Sequence, residues 1–296
     1  MTNTPVGSGL SVDGVNCKVW TWSPPTVSRG LVVIFHGLGA HGRFPTVSVA
    51  AEAIFAAGFT AIAPDLPGHG ASDGLRGFLY SAPSLEEAAL AFVRAAREAH
   101  PDLPLFLLGS SMGGALCVRC ALALAEQGIE VSGLVLLAPM LAPAASPTAR
   151  VLLSVLSYTP LCRLALIPTK ATSNATQYAD ADKAAEIDRD VLSYKGALRV
   201  GSASTVLELG KIAEESVERV SCPFFCLLAE REHVLGPAAR QAAERLFANA
   251  ATQEPQCMLK RYDALHGLLC SEEPLRSVIV SDILSWLCER AAQSCV

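Results

Sequence analysis

The run Leu31–Phe35 (LVVIF) is unbroken apolar, β-branched and aromatic, and it stops at His36-Gly37. That is the pattern of a strand buried on both faces that ends in a loop. It recurs at 59–63, 105–108, 134–137, 224–228 and 257–259, with helix-like periodicity over 47–57, 85–99, 112–127 and 237–248 in between. Strand alternating with helix predicts a mostly parallel sheet covered by helices on both faces. After Pro274, which can open a helix but not continue one, residues 275–290 read as a closing amphipathic helix.

The alternation breaks between Pro139 and Val220, where apolar helical stretches and a polar turn region at 169–182 follow one another without a clear strand. The pattern therefore predicts one α/β core, residues 1–139 and 221–296, with a helical cap inserted over 140–220. No repeat period or low-complexity tract divides the chain further.

Composition narrows the class. At 296 residues, 51% apolar and 17% charged, with a mean hydropathy of +0.37, the chain buries a large core, which excludes a disordered tail or a charged coiled coil. Lys and Arg number 23 against 28 Asp and Glu, a net charge of -5. The attraction on which nucleic-acid binding rests is missing, and no nucleic-acid partner is expected. Ten cysteines are scattered from Cys17 to Cys295, and Met1 to Leu10 lacks the basic-then-apolar layout of a signal peptide, so reduced thiols in the cytoplasm are expected. Cys117 and Cys120 have C-x-x-C spacing but no second pair and no nearby histidine, and read as helical core thiols with no metal. The longest greasy stretch, 151–167, is interrupted by Pro160 and Arg163 and falls short of the roughly 20 residues of a transmembrane helix.

The chemistry concentrates at Gly109-Ser110-Ser111-Met112-Gly113-Gly114, which follows a strand and precedes a helix. This is G-x-S-x-G in the context that gives it meaning. The flanking glycines tolerate a sharp strand-to-helix turn, which presents the Ser111 hydroxyl as a nucleophile. A serine nucleophile needs a base, and the base an orienting carboxylate, in the order Ser, Asp or Glu, His on this kind of fold. Only His233 and His266 lie downstream of Ser111. His266, in the loop after the 257–259 strand, is the candidate base, and His233 reads as structural or solvent-facing. Glu230 and Glu232 both follow the 224–228 strand and either can serve as the acid, while Asp263 more readily shapes the turn before His266. The oxyanion hole needs backbone N–H groups. Met112 supplies one, and Leu38 in His36-Gly37-Leu38-Gly39 the other, with His36 buttressing that turn.

The same loop carries a competing pattern. Gly37, Gly39 and Gly42 match a dinucleotide fingerprint, with Asp65 near the expected acidic position. Pro45 places the helix start after the last glycine, however, and a nicotinamide-dependent reading leaves Ser111 and His266 unused. A hydrolase-like scaffold that binds without catalysis is a second alternative.

Taken together, these residues resemble the α/β-hydrolase superfamily, and within it the monoacylglycerol lipase and lysophospholipase group. The likeness is carried by His36-Gly37-Leu38-Gly39, by Asp65-Leu66-Pro67-Gly68-His69-Gly70-Ala71-Ser72, by the Ser111 elbow, by Leu265-His266-Gly267, and by Asp190-Val191-Leu192 closing the cap. The resemblance implies an α/β-hydrolase fold. Matching Pro223-Phe224-Phe225 to the family's strand places the family's catalytic aspartate at Glu232, a departure in residue type. It also implies Arg43 near the polar end of a head-group pocket, where Ala40 replaces a common acidic residue. The implied activity is ester hydrolysis of a monoacylglycerol, or alternatively a lysophospholipid or a broader range of carboxylic esters, with no cofactor. The apolar residues of 151–167, Leu152 and Leu156 among them, are expected to bind the acyl chain or touch a membrane surface transiently, so a peripheral membrane association is expected beside the cytoplasmic location that the thiols suggest.

Overall fold

The computed structural model describes residues 5–142, 145–170, 176–252 and 254–294. Its strands are β1 (Val6–Val12), β2 (Val15–Trp22), β3 (Leu31–Phe35), β4 (Thr60–Pro64), β5 (Leu105–Ser110), β6 (Gly133–Leu137), β7 (Ala165–Ile167), β8 (Leu198–Arg199), β9 (Phe224–Ala229) and β10 (Cys257–Tyr262). The helices are α1 (Pro45–Ala56), α2 (Ala82–Ala99), α3 (Met112–Glu126), α4 (Pro147–Ser157), α5 (Ala181–Arg189), α6 (Val200–Glu215), α7 (Pro237–Asn249) and α8 (Leu275–Gln293). Eight strands make one sheet in the order β1-β2-β4-β3-β5-β6-β9-β10. The pairs from β4 through β10 are parallel, while β1–β2 and β2–β4 are antiparallel.

Period-two alternation splits the strand side chains between two cores. Leu31, Val33 and Phe35 of β3 join α2, α3, α6 and α7 on one face. Val32 and Ile34 join α1 and α8 on the other. Every residue of β3, β4 and β6 is buried, which is why these strands read as continuous apolar runs.

The N-terminal hairpin of β1 and β2 was not among the expected strands. Val6–Val12 is largely exposed and rich in glycine and serine, so it shows no buried periodicity. Its one signal is Asp13-Gly14, whose positive φ angles of 47° and 77° turn the chain as tight hairpins require.

Between β6 and β9 the chain leaves the sheet for an insertion that carries α4, the antiparallel pair β7–β8, α5 and α6. The sequence showed no strand there, and runs of three and two residues are too short to display a period. Part of the polar stretch at 169–182, residues 171–175, lies outside the described residues, as does Cys295. α6 buries Val200, Ala203, Leu209 and Ala213 against the body of the protein, whereas α4 buries no residue. No described helix is long and apolar enough to cross a membrane.

The connections leave β3 and β5 in opposite directions. β3 leads through α1 to β4, and β5 through α3 to β6, with α1 and α3 on opposite faces. The loops after these two neighbouring strands diverge and open a crevice at the carboxyl ends of the sheet, where open α/β sheets bind ligands.

Candidate active site

Ser111 sits between the end of β5 and the first turn of α3 with φ 54° and ψ −115°. A non-glycine residue held there costs on the order of 1–3 kcal/mol, so the surroundings must impose it. The Ser111 N–H donates to Leu137 O (2.9 Å), and its carbonyl accepts from Met140 N (2.9 Å) and Gly114 N (2.9 Å). The flanking glycines allow the turn to be this tight. A Cβ on Gly109 would lie 2.2 Å from Gly113 O, and one on Gly113 would lie 2.1 Å from Phe35 O. The elbow is thus pressed against the end of β3.

This brings the turn after β3 alongside. Gly37 packs beside Ser110 and Ser111, and Gly39 takes a positive φ of 74°. Leu38 lies between them, while Met112 opens α3, where first-turn N–H groups have no intrahelical acceptor. Leu38 thus lines the same cavity as Ser111, and Met112 follows the serine directly in the chain. His36 supports the turn from below: its Nδ1–H donates to Gly37 O (2.8 Å), and its Nε2 accepts from Leu66 N (3.1 Å). Burial, then the neighbouring His69, push His36 well below the ordinary histidine pKa and keep it neutral. Asp65 is fully buried, and its carboxylate accepts from Gly42 N (2.6 Å), Ala71 N (2.7 Å) and Trp20 Nε1 (3.1 Å). It ties the loop after β3 and the strand β2 to its own loop after β4. α1 begins at Pro45, past the last glycine of the dinucleotide-like pattern.

The acid and the histidine come from the loops after β9 and β10. His266, 4% exposed, bonds through Nδ1 to Glu232 Oε2 at 2.6 Å. The other carboxylate oxygen, Oε1, accepts from Val234 N (2.7 Å) and Leu235 N (2.9 Å). Burial alone raises the Glu232 pKa, but the bonds from His266, Leu235 and Val234 outweigh it and hold the group below the ordinary glutamate range. With Nδ1 committed to the carboxylate, Nε2 is the basic nitrogen of His266. Glu230 and His233 are exposed and line a surface depression on the outer side of Glu232, which lines it too. Asp263 pairs with Arg231 at 2.7 Å.

Ser111, His266 and Leu38 line one narrow cavity of about 30 Å³, with Phe44, Thr46, Val47 and Ser110 around it. Gln177 and Tyr178, from the insertion, close it. The Gln177 carbonyl accepts from Gly267 N (2.8 Å), and Tyr178 packs so closely that a Cβ on Gly267 would lie 2.4 Å from its ring. Neither residue was singled out in the sequence, where the only hint is an aromatic residue in a polar stretch. No Asp, Glu, Lys or Arg side chain is among the lining residues.

Three expected substrate contacts do not reach this cavity. Arg43 is exposed and places its guanidinium 5.0 Å from the centre of the Trp20 ring. Leu152, 59% exposed, and Leu156 lie one turn apart on α4, the helix with no buried residue. Arg43 is drawn off by a cation–π partner, and the two leucines by the outward face of α4.

An elbow serine at the switch point, with acid and histidine following in the order Ser, Glu, His, is the layout of an α/β-hydrolase, and the sheet places the chain in that class. Residues 26–273 match the family described as serine aminopeptidase, S33, and the chain belongs to it. It is 29% identical to a monoacylglycerol lipase of Mycolicibacterium smegmatis over 282 residues, 95% of each chain. It is 26% identical to a monoglyceride lipase of Mus musculus over 287 residues, 96% of this chain and 90% of the relative. The crystal structure of Paleococcus ferrophilus monoacylglycerol lipase superposes with a TM-score of 0.75 at 24% identity, covering 92% of this chain and 98% of that one.

Proposed function

We propose that the protein is a serine hydrolase that cleaves monoacylglycerols to a fatty acid and glycerol through Ser111, His266 and Glu232. The relatives support the broader class, a lipolytic α/β-hydrolase. The observation that carries the finer reading is the pairing of His266 Nδ1 with Glu232 Oε2 at 2.6 Å, on a cavity that His266 shares with Ser111.

In this mechanism Ser111 Oγ attacks the ester carbonyl while His266 Nε2 takes its proton. Glu232 fixes the imidazole tautomer and stabilises the imidazolium without accepting the proton. The N–H groups of Leu38 and Met112 hold the oxyanion as the tetrahedral intermediate forms. Collapse breaks the ester C–O bond, His266 returns the proton to the departing glycerol oxygen, and the acyl group stays on Ser111. Water, deprotonated by His266, then attacks the acyl-enzyme and releases the fatty acid. No cofactor enters the sequence, because preorganised backbone dipoles meet the developing charge.

The uncharged lining of the cavity favours a neutral head group over a lysophospholipid's. A phosphate placed among uncharged groups loses its hydration with no cation to replace it. The insertion, acting as a cap over residues 140–220, supplies the lipid-facing surface: Val151, Val155, Tyr158 and Leu166 are each at least 60% exposed. We read this face as a transient contact with membrane surfaces. Buried thiols such as Cys117, Cys120 and Cys226 suit a reducing, cytoplasmic setting.

A fluorophosphonate probe tests the chemistry. Wild type should be labelled at Ser111, and Ser111→Ala should lose both label and turnover. An unlabelled wild type makes the chain a silent scaffold. Fatty-acid release from monoacylglycerols, lysophosphatidylcholine and p-nitrophenyl esters then ranks the substrates, and faster release from lysophosphatidylcholine overturns the neutral-substrate reading.

A further inference from the structure

An oxyanion donor works only if its N–H points where the charge develops, and displacements well under 1 Å matter. Leu38 lies on a turn, so something must hold that turn. From the core side the hold is visible: Gly42 N donates to Asp65 Oδ1 (2.6 Å), and Ala40 N closes back on Gly37 O (3.2 Å). From the other side the hold comes from the insertion. Tyr194 N donates to Gly39 O (2.8 Å). His41, 3% exposed, accepts the Arg43 N–H at Nδ1 (3.1 Å), so its Nε2 carries the proton and donates to Asp190 Oδ2 (2.6 Å).

Asp190 is built for this contact. Its carboxylate also accepts from Ser193 Oγ (2.5 Å) and Leu192 N (2.9 Å). Arg76 anchors the far side of the same short segment, donating to Leu192 O (2.5 Å) and Val191 O (3.2 Å) as well as to Gly70 O (2.5 Å) in the core. A bond between a buried imidazole and a carboxylate 149 positions away is charge-assisted, and roughly twice as strong as one between neutral partners.

We propose that His41 and Asp190 are a positioning pair through which the insertion holds the Gly37–Gly39 turn, and with it the Leu38 N–H, in register with the oxyanion. Neither side chain lines the cavity, so the pair acts on the transition state through the backbone and not on substrate directly. The inference rests on the esterase reading above.

The test uses Asp190→Asn, Asp190→Ala and His41→Gln in the full chain. Rates are divided by the concentration of Ser111 that a fluorophosphonate titrates, which removes any loss of folded protein. Asp190→Ala should lower kcat on the order of tenfold, less than the loss of a whole oxyanion donor, with KM changed less than twofold. Asp190→Asn, which keeps an acceptor but no charge, should lose less. A trifluoromethyl ketone adds to Ser111 and places its own oxyanion between the same donors. Across whichever variants fold, its inhibition constant should weaken by the same factor as kcat/KM falls. Unchanged kcat per titrated serine, or a fall in kcat/KM with no loss of ketone affinity, overturns the proposal. A wild type without turnover removes the esterase reading itself, whereas wild-type turnover with a flat variant series removes the positioning role alone.

Discussion

Glu232 reaches His266 with one methylene more than an aspartate has, and the loop after β9 is shaped around that length. Oε1 is fixed by the N–H groups of Val234 and Leu235 while Oε2 meets His266. Glu232→Asp withdraws the carboxyl by about one C–C bond, roughly 1.5 Å, so it cannot keep both sets of partners. We expect Glu232→Gln to lower kcat on the order of 10³- to 10⁴-fold, because an amide cannot stabilise the imidazolium. Glu232→Asp should fall in between, and Glu230→Gln should stay within twofold of wild type. Steady-state kinetics on a soluble ester checks this ranking, and the reverse order of the two glutamines reassigns the acid. Spacing alone left Glu230 and Glu232 equivalent. The difference is tertiary: Glu230 N still bonds to Tyr262 O (2.9 Å) and continues the β9–β10 ladder, which leaves its side chain exposed, and the turn toward His266 comes two residues later. That ladder is a long-range contact with no trace in local pattern.

At the level of elements, legibility followed burial. The parallel strands are buried on both faces, and their apolar runs stood out in the sequence to within a residue or two of β3, β4, β5, β6 and β9. Ser111 was equally readable, because strand, glycine-flanked serine and helix are contiguous. The hairpin β1–β2, half exposed, was not. Nor was the way the insertion folds over the site, since Gln177 and Tyr178 reach the cavity through contacts with Gly267 that no local periodicity encodes. The helix α4 shows the converse. It is a clean amphipathic pattern with no buried residue, so on its apolar side Val151 and Val155, which share one open groove with Tyr80 and with Thr205 of α6, stay 65% and 60% exposed. If that side meets a lipid surface, Val151→Ser combined with Val155→Ser should cut hydrolysis of monoacylglycerol presented in vesicles several-fold, because each buried valine is worth roughly 1.5 kcal/mol or more. Turnover of a short, water-soluble ester should not change. Equal effects on both substrates place the helix in folding or acyl binding instead.

For the molecule as a whole, two buried histidines beneath the site couple stability to pH. His69 is 1% exposed. Its Nδ1–H donates to Pro67 O (3.1 Å), and its Nε2 has no hydrogen-bond partner among the described residues. Burial, which outweighs the Pro67 bond, pulls its pKa down to about 4. His36, 5.3 Å from it between ring centres, is lowered for the same reason. Both groups have folded pKa values below the unfolded value of about 6.5, so the unfolded chain binds protons first. Their contribution is complete above that value and disappears as the pH falls from about 6.5 toward 4. One histidine gives a slope of about 1.4 kcal/mol per pH unit, and over the window set by His69 this amounts to about 3 kcal/mol. Glu232 adds a later loss. Its folded pKa lies below the ordinary glutamate value, so its share remains until the pH drops beneath about 4.5. Urea unfolding at pH 7.5, 6.5, 5.5 and 4.5 should therefore show stability flat at the top of the range and steepening below pH 6.5. His69→Gln, which keeps a donor for Pro67 but removes the titration, should be less stable at pH 7.5 and lose about one proton's worth of the acid slope. An unchanged slope in that variant overturns the assignment of the acid loss to His69.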